Sequence, residues 1–157
     1  MSTIQSTAQI NTGARDTLRI VSLVLVFIGI LISGYLSYVK LTETAIVCAE
    51  GDSFNCDSVT GSVYGKVAGI PIAYLGLATY LGIGALILLE NRLALLRDYG
   101  ITLVFGITLF GFIYSMFLVY VQASILRAFC SWCLSHEVVM TLLFIVSGVR
   151  LFKSLRT

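Results

Sequence analysis

The chain has 157 residues, of which 58% are hydrophobic and only 11% charged, and its formal net charge is +2. A soluble domain is about 45–50% apolar and about 25% charged, so this composition excludes an ordinary water-soluble fold. So small an excess of cations also argues against nucleic acid as a partner.

Taken from the N-terminus, residues Met1–Gly13 are rich in Ser, Thr, Gln and Asn. They read as a disordered tail, residues 1–14, because such a composition cannot bury a core. The apolar run Leu18–Val39 follows. It exceeds the roughly 7–15 residues of a secretory signal's apolar region, and Ser33-Gly34 lies well inside it, so a retained span is expected. Three more apolar runs follow, Ile70–Leu89, Tyr99–Leu126 and Leu134–Phe152. Each is close to the roughly 20 residues, at about 1.5 Å rise apiece, that a helix needs to cross a bilayer. No soluble fold of this size could bury four such segments. Small residues punctuate the first two, Gly29, Ser33 and Ser37 in one and Ala78, Gly82 and Gly84 in the other, as close helix packing in lipid requires.

The connection Lys40–Gly69 is the longest and most polar. Glu50–Asn55 is turn chemistry. After Cys56, Val59, Val63 and Val67 recur every four residues, which predicts one face of a short helix along the membrane surface with Ser62 at its edge. Gly69-Ile70-Pro71 then turns the chain into the second span, with Pro71 expected in its first helical turn, where the missing N–H costs nothing. The short connection Glu90–Asp98 makes the second and third spans antiparallel neighbours. The expected architecture is an all-α integral membrane protein: a four-transmembrane-helix bundle over residues 15–153, a short surface helix in the first external loop, and a second tail at 154–157.

Charge sets the expected orientation. Arg15, Arg19, Arg92, Arg97, Arg150, Lys153 and Arg156 fall at one end of such a bundle, and Lys40, Lys66 and Arg127 at the other. The positive-inside rule puts both termini in the cytoplasm and the protein in a cytoplasmic (inner) membrane. Cys48, Cys56, Cys130 and Cys133 then all lie on the external or periplasmic side, where disulfides persist.

Cys130-Ser131-Trp132-Cys133 is a C-x-x-C motif. Positions i and i+3 share a helix face, so the two sulfurs can pair, and the positive end of a helix dipole favours thiolate at the first of them. Burial in an apolar bundle acts the other way. Cys48 and Cys56 flank seven residues that include Gly51 and Asp52, and a turn there lets them close a small loop. One pair on a loop and one at a helix mouth form a relay geometry. Four cysteines allow three connectivities, however, and two inert structural disulfides satisfy the same count. The Cys48–Cys56 spacing does not suit a zinc knuckle, so no metal is expected. Phe54, Tyr64, Phe129 and Trp132 surround these positions as an aromatic belt at the interface or as a box for a ring. The intervals between the flanking charges of each span hold no acid or base other than Tyr. Ion-coupled transporters need such groups at depth, whereas a neutral redox carrier such as a quinone suits this interior.

Cys56-Asp57-Ser58-Val59, Ser62-Val63-Tyr64-Gly65, Gly69-Ile70-Pro71, Leu75-Gly76 and Cys130-Ser131-Trp132-Cys133-Leu134 together resemble the vitamin K epoxide reductase family, particularly its bacterial members. The resemblance runs over roughly Leu18–Leu151. It implies a thiol:quinone oxidoreductase in which electrons pass from a thioredoxin-like protein through two cysteine pairs to a membrane quinone of ubiquinone, menaquinone or vitamin K type. Carried over by position, Cys133 meets the quinone, Cys130 exchanges with Cys56, and Cys48 exchanges with the external partner. Ser62 matches a serine that supports the quinone site; read from the residues alone it is a surface hydroxyl making a local bond.

Two departures from the family pattern stand out. Many bacterial members carry a fused thioredoxin-like domain after the fourth helix, and no soluble stretch in these 157 residues approaches the roughly 50 residues of an ordinary domain, so a separate partner is expected. Glu43, Glu50, Asp52 and Asp57 against Lys40 and Lys66 make the first loop acidic and suit a partner with a basic rim. In addition, His136-Glu137 follows the C-x-x-C segment where an apolar or aromatic residue is usual, and reads as a solvated pair at the helix mouth. Two alternatives compete. The disulfide-bond-forming protein B family is also a four-helix quinone reductase, but its C-x-x-C pair lies in the first external loop, the reverse of the order here. A non-catalytic four-helix scaffold with structural disulfides predicts cysteines that stay oxidised whatever quinone is present.

Overall fold

A computed structural model of the chain describes residues 2–48, 51 and 54–156, and the backbone alone for residues 2–12, 14, 15, 94, 97 and 98. Glu50 and Asp52 of the acidic loop lie outside the described residues. The helices are α1 (Ser2–Thr42), α2 (Cys56–Gly61), α3 (Ile72–Leu89), α4 (Ala94–Tyr120) and α5 (Ser131–Leu155). A π-helical turn, Val121–Leu126, extends α4. Among the described residues, four stretches are long and apolar enough to cross a membrane: Asp16–Thr42, Ile72–Leu89, Tyr99–Leu126 and Ser131–Leu155. The protein is a multi-pass membrane protein.

The surface of the bundle follows from that setting. Phe27 and Leu31 on α1, Leu88 on α3, Phe110 and Ile113 on α4 and Ile145 on α5 all point outward. Water would not tolerate so continuous an apolar coat, whereas lipid has no objection to it. Around the ring α1 packs on α3 and α5, and α4 packs on α5 and more lightly on α3. Tyr80, Ile83 and Ile87 of α3 meet Leu143 of α5 in the centre, with Val26 and Leu36 of α1 against them. The helices approach closely where side chains are small. The Tyr80 ring lies so near Gly29 that a Cβ on that glycine would fall inside it, and one on Gly84 would stand 3.2 Å from Val26. Thr108 of α4 and Ser147 of α5 share a buried hydrogen bond of 2.7 Å between helices, which satisfies both hydroxyls where water is absent.

Both ends of the bundle are tied. Away from the cysteines, the Arg150 guanidinium donates to Glu90 at 2.7 Å and Arg19 donates to the Ile87 carbonyl at 3.2 Å. At the cysteine end, the Lys40 ammonium donates to the Thr60 carbonyl at 3.2 Å and fastens the last turn of α2 to α1.

Three expectations need correction. The backbone of α1 carries back through residues 2–15, where composition suggested a disordered tail. The only proline of the chain is Pro71, so nothing breaks the helix there, and residues add readily to a helix already nucleated. The surface helix is shorter than the Val59–Val63–Val67 period implied. Asn55 caps α2 by accepting the Ser58 N–H at 3.0 Å, but the helix stops at Gly61 and Ser62 is extended. Val59 is buried, whereas Val63 is 82% exposed. A 3₁₀ turn (Val63–Gly65) follows, then a small antiparallel hairpin of β1 (Lys66–Val67) and β2 (Ile70–Pro71). Its two turn residues, Ala68 and Gly69, have φ of 51° and 84°, the left-handed pattern of a tight hairpin. Pro71 thus ends a strand and caps α3, one position before the first helical turn expected for it. The third apolar run, Tyr99–Leu126, keeps its expected bounds.

The glycine packing gives a direct test. Gly29→Ala should force the Tyr80 ring to move and lower stability by about 1–3 kcal/mol, the range for overpacking a filled core. Gly34→Ala meets nothing within 4 Å, and the helix preference for alanine should leave it neutral or slightly more stable. Thermal unfolding of the two variants in the same detergent separates the cases.

Candidate active site

The four cysteines converge at one end of the bundle. Cys48 and Cys56 form a disulfide with Cα atoms 5.9 Å apart, while Cys130 and Cys133 are free thiols. Cys56 and Cys130 are both almost wholly buried and share one small apolar cluster with Val59, against which Ile46, Leu126 and Trp132 pack. Ser131 stands between the pairs, its Oγ 3.7 Å from the Cys48 sulfur and 3.9 Å from that of Cys56.

Local structure explains the placement of Cys130. The π turn at the end of α4 closes with Arg127 in the left-handed region at φ 49°. That reversal lets Ala128 donate to the Gln122 carbonyl at 3.3 Å. It also lets the Gln122 side chain, 2% exposed, accept the Cys130 N–H through Oε1 at 3.0 Å. Cys130 then serves as the N-cap of α5: its sulfur accepts the Cys133 N–H at 3.2 Å, where a helix normally takes a Ser or Asp oxygen. Hydrogen bonds from the Cys133 thiol and from the N–H groups of Cys133 and Trp132 hold the Cys130 thiol below its ordinary pKa, against the opposing effects of burial and of nearby Asp57.

The loop that carries Cys48 is pinned to this helix start. The Trp132 indole donates to the Val47 carbonyl at 2.7 Å and its ring lies 4.5 Å from that of Tyr35. The Tyr35 hydroxyl accepts the Val47 N–H at 3.3 Å. On the other side of the loop Phe54 bridges to Phe129, and Asn55 donates to the Phe129 carbonyl at 3.0 Å. Trp132 and Phe129 therefore have specific structural partners beyond those of an interfacial belt. Tyr64 instead lines a cavity.

That cavity, about 100 Å³, lies beside the C-x-x-C segment. Leu36, Val59, Ile72 and Val121 contribute apolar walls, and Cys133, Ser62 and Gln122 also line it. Cys130 does not. Ser62 donates to the Val59 carbonyl at 2.7 Å, the local bond read from the residues alone, and still borders the same space as Cys133. All five residues singled out in the sequence, Cys48, Cys56, Cys130, Cys133 and Ser62, are thus gathered at one end of the bundle. Among the described residues no group of three or more His, Cys, Asp or Glu could hold a metal.

His136 and Glu137 overturn the expectation of a solvated pair. They lie past the first turn of α5, facing inward, and both line the cavity. Glu137 is 6% exposed. His136 stacks edge-on to Tyr80 with ring centres 5.3 Å apart, in the space that Gly76 leaves open. Its Nδ1 is 3.8 Å from Glu137 Oε1, too long for a hydrogen bond, and Glu137 Oε2 has no partner among the described residues. Sequence reasoning also passed over Gln122. Its signal was present: an amide inside an apolar span must find a buried partner.

A model of the vitamin K epoxide reductase family matches residues 20–148, from inside the first span to inside the fourth and across both cysteine pairs, and the chain belongs to that family.

Proposed function

We propose that the protein is a thiol:quinone oxidoreductase that takes electrons from a separate thioredoxin-like protein and delivers them to a membrane quinone. One observation carries this reading: the two sulfurs of the C-x-x-C segment, neighbours of each other, have different further surroundings. Cys130 is packed with Cys56, and Cys133 borders an apolar cavity with polar groups at intervals on its wall. A quinone needs apolar surface for its ring and tail and a few polar atoms for its carbonyls, and the lining of this cavity suits that demand.

The relay follows from these neighbours. A partner thiolate attacks Cys48 and Cys56 leaves; the partner's second thiol then resolves the mixed disulfide, so the partner becomes a disulfide and the loop pair a dithiol. Cys56 then attacks Cys130 in the inner disulfide and Cys133 leaves. Cys48 resolves the Cys56–Cys130 mixed disulfide, with Cys130 departing. A thiol held below its ordinary pKa is the better leaving group, so the hydrogen bonds to Cys130 favour this last step. The inner dithiol passes two electrons and two protons to the quinone, yielding a disulfide and a hydroquinone. Ser62, on the cavity wall, is assigned to the quinone site. The charge distribution supports an orientation with the cysteines outside a cytoplasmic membrane and both termini inside. Regeneration of the partner's disulfide makes the reaction part of disulfide bond formation.

Removing single cysteines should give unequal defects. With a small dithiol as reductant, Cys133→Ala should abolish quinone reduction. Cys48→Ala should lose the protein partner yet keep the small-dithiol reaction within about tenfold, an effect of about 1.4 kcal/mol or less on the barrier. Quinone absorbance followed with each reductant reads both, and identical behaviour of the two variants with the small dithiol contradicts the relay order.

With Cys48 or Cys133 replaced by Ala, the Cys56–Cys130 bond should accumulate, since one of the two thiols that can resolve it, Cys48 by attack on Cys56 or Cys133 by attack on Cys130, is gone. Mass mapping under graded redox buffers checks this, and finding only the Cys48–Cys56 and Cys130–Cys133 bonds throughout would support a structural role for both.

A pH titration tests the Cys130 environment. In protein with Cys48–Cys56 oxidised and the inner pair reduced, thiolate absorbance should rise at a lower pH than that of a free cysteine measured under the same conditions. Cys133→Ala removes the hydrogen bond that contributes most, so the Cys130 midpoint should move up.

A further inference from the structure

The relay gives no task to Glu137, a buried ionisable group. Glu137 sits one helical turn beyond Cys133 on α5, so the two side chains share a face. It lines the same cavity as Cys133, is 6% exposed, and leaves Oε2 with no hydrogen-bond partner among the described residues. Its other oxygen is 3.8 Å from His136 Nδ1, so the imidazole is a neighbour rather than a fixed partner. Buried carboxyl oxygens are normally paired, because an unpaired one loses its water and gains nothing in return. An unpartnered carboxyl oxygen in a residue that borders both a reactive thiol and a cavity is free to bond whatever enters that cavity. Among the described residues, the other titratable or charged groups near it are His136 and Cys133 on α5, Tyr80 on α3, and Lys40 of α1 and Tyr64 of the 3₁₀ turn at the cavity wall. The π turn of α4 contributes Val121 and Gln122, neither of which titrates.

We propose that Glu137 carries the proton from the Cys133 thiol to a carbonyl oxygen of the quinone. The inference rests on the quinone reading above. Overall, two S–H bonds break, one S–S bond forms between Cys130 and Cys133, two electrons enter the quinone, and each of its oxygens gains a proton. Glu137 as carboxylate accepts the Cys133 proton as that sulfur becomes nucleophilic, then returns it to one quinone oxygen and is restored. The second proton comes from the Cys130 thiol; when Cys130 is already thiolate, only the Cys133 S–H bond breaks and the second proton is taken up from solvent at the mouth. No further oxidant or reductant is needed.

The experiment compares wild type with Glu137→Gln, which keeps the shape and the hydrogen-bonding reach but cannot relay the proton, and with Glu137→Asp, which keeps the acid on a shorter arm. Each is reduced with a small dithiol, freed of reductant and mixed once with a short-chain ubiquinone in detergent. In Glu137→Gln the single-turnover rate should fall by about 10²-fold or more, the low end of general acid–base contributions, while quinone affinity stays within about threefold. Glu137→Asp should recover part of the rate, and added formate should partly rescue Glu137→Gln. Redox-difference infrared spectra of the protein without quinone should contain a carboxyl band in wild type that disappears in Glu137→Gln. Trapping of the Cys56–Cys130 bond in a Cys48→Ala background reports that each variant is folded. A Glu137→Gln rate equal to wild type overturns the proposal, and so does a loss confined to affinity or one that neither aspartate nor formate restores. If wild type itself never reduces quinone, the functional reading fails and this inference goes with it.

Discussion

The Cys130 sulfur accepting the Cys133 N–H is the contact on which the cysteine end of the molecule depends. A helix start leaves N–H groups without partners, and in a membrane-facing site each must be satisfied by the protein itself. Using a sulfur for this purpose fixes where α5 begins and brings the second cysteine of the motif one turn along. It also loads the first thiol with hydrogen-bond donors. A structural requirement of the helix and an electronic property of the thiol thereby become one interaction. The amide of Gln122 keeps this arrangement in register by holding the Cys130 N–H from the end of α4. That is possible because the π turn and the left-handed Arg127 rotate the chain back over the amide.

The first loop is arranged around that fixed point. α2 carries Cys56 into the cluster through Val59, and the Lys40 bond to Thr60 stops the short helix from drifting. Trp132 and Phe129, on either side of Cys130, hold the loop from two directions. The disulfide therefore sits against Ser131 without a long regular element beneath it. Short elements joined by specific side-chain bonds place Cys48 and Cys56, whereas the spans place Cys130 and Cys133.

Much of this was legible in the sequence. The four spans declare themselves because lipid imposes a length and a composition that few other environments demand. Gly29 and Gly84 could be read as packing positions, although Gly82, of the same kind, meets nothing within 4 Å. What could not be read was direction at short range. The valine period after Cys56 is compatible with a longer helix, and only the break at Gly61-Ser62 followed by the Ala68-Gly69 turn sends Val63 outward. His136 and Glu137 looked solvated because their charge suggests water. Their side chains point inward because α5 starts at Ser131 and its rotation sends those positions to the cavity. Gln122 was overlooked because a single amide barely perturbs an apolar run, although its burial governs the turn that follows.

Trp132 is the only tryptophan in the chain, and its indole lies against the Cys48 loop while its backbone belongs to the C-x-x-C segment. Sulfur in its oxidised and reduced forms quenches indole emission to different extents, and release of the Val47 carbonyl would change the polarity around the ring. The molecule thus carries a built-in fluorophore between its two redox centres, able to report on their state in an intact bilayer without any added label.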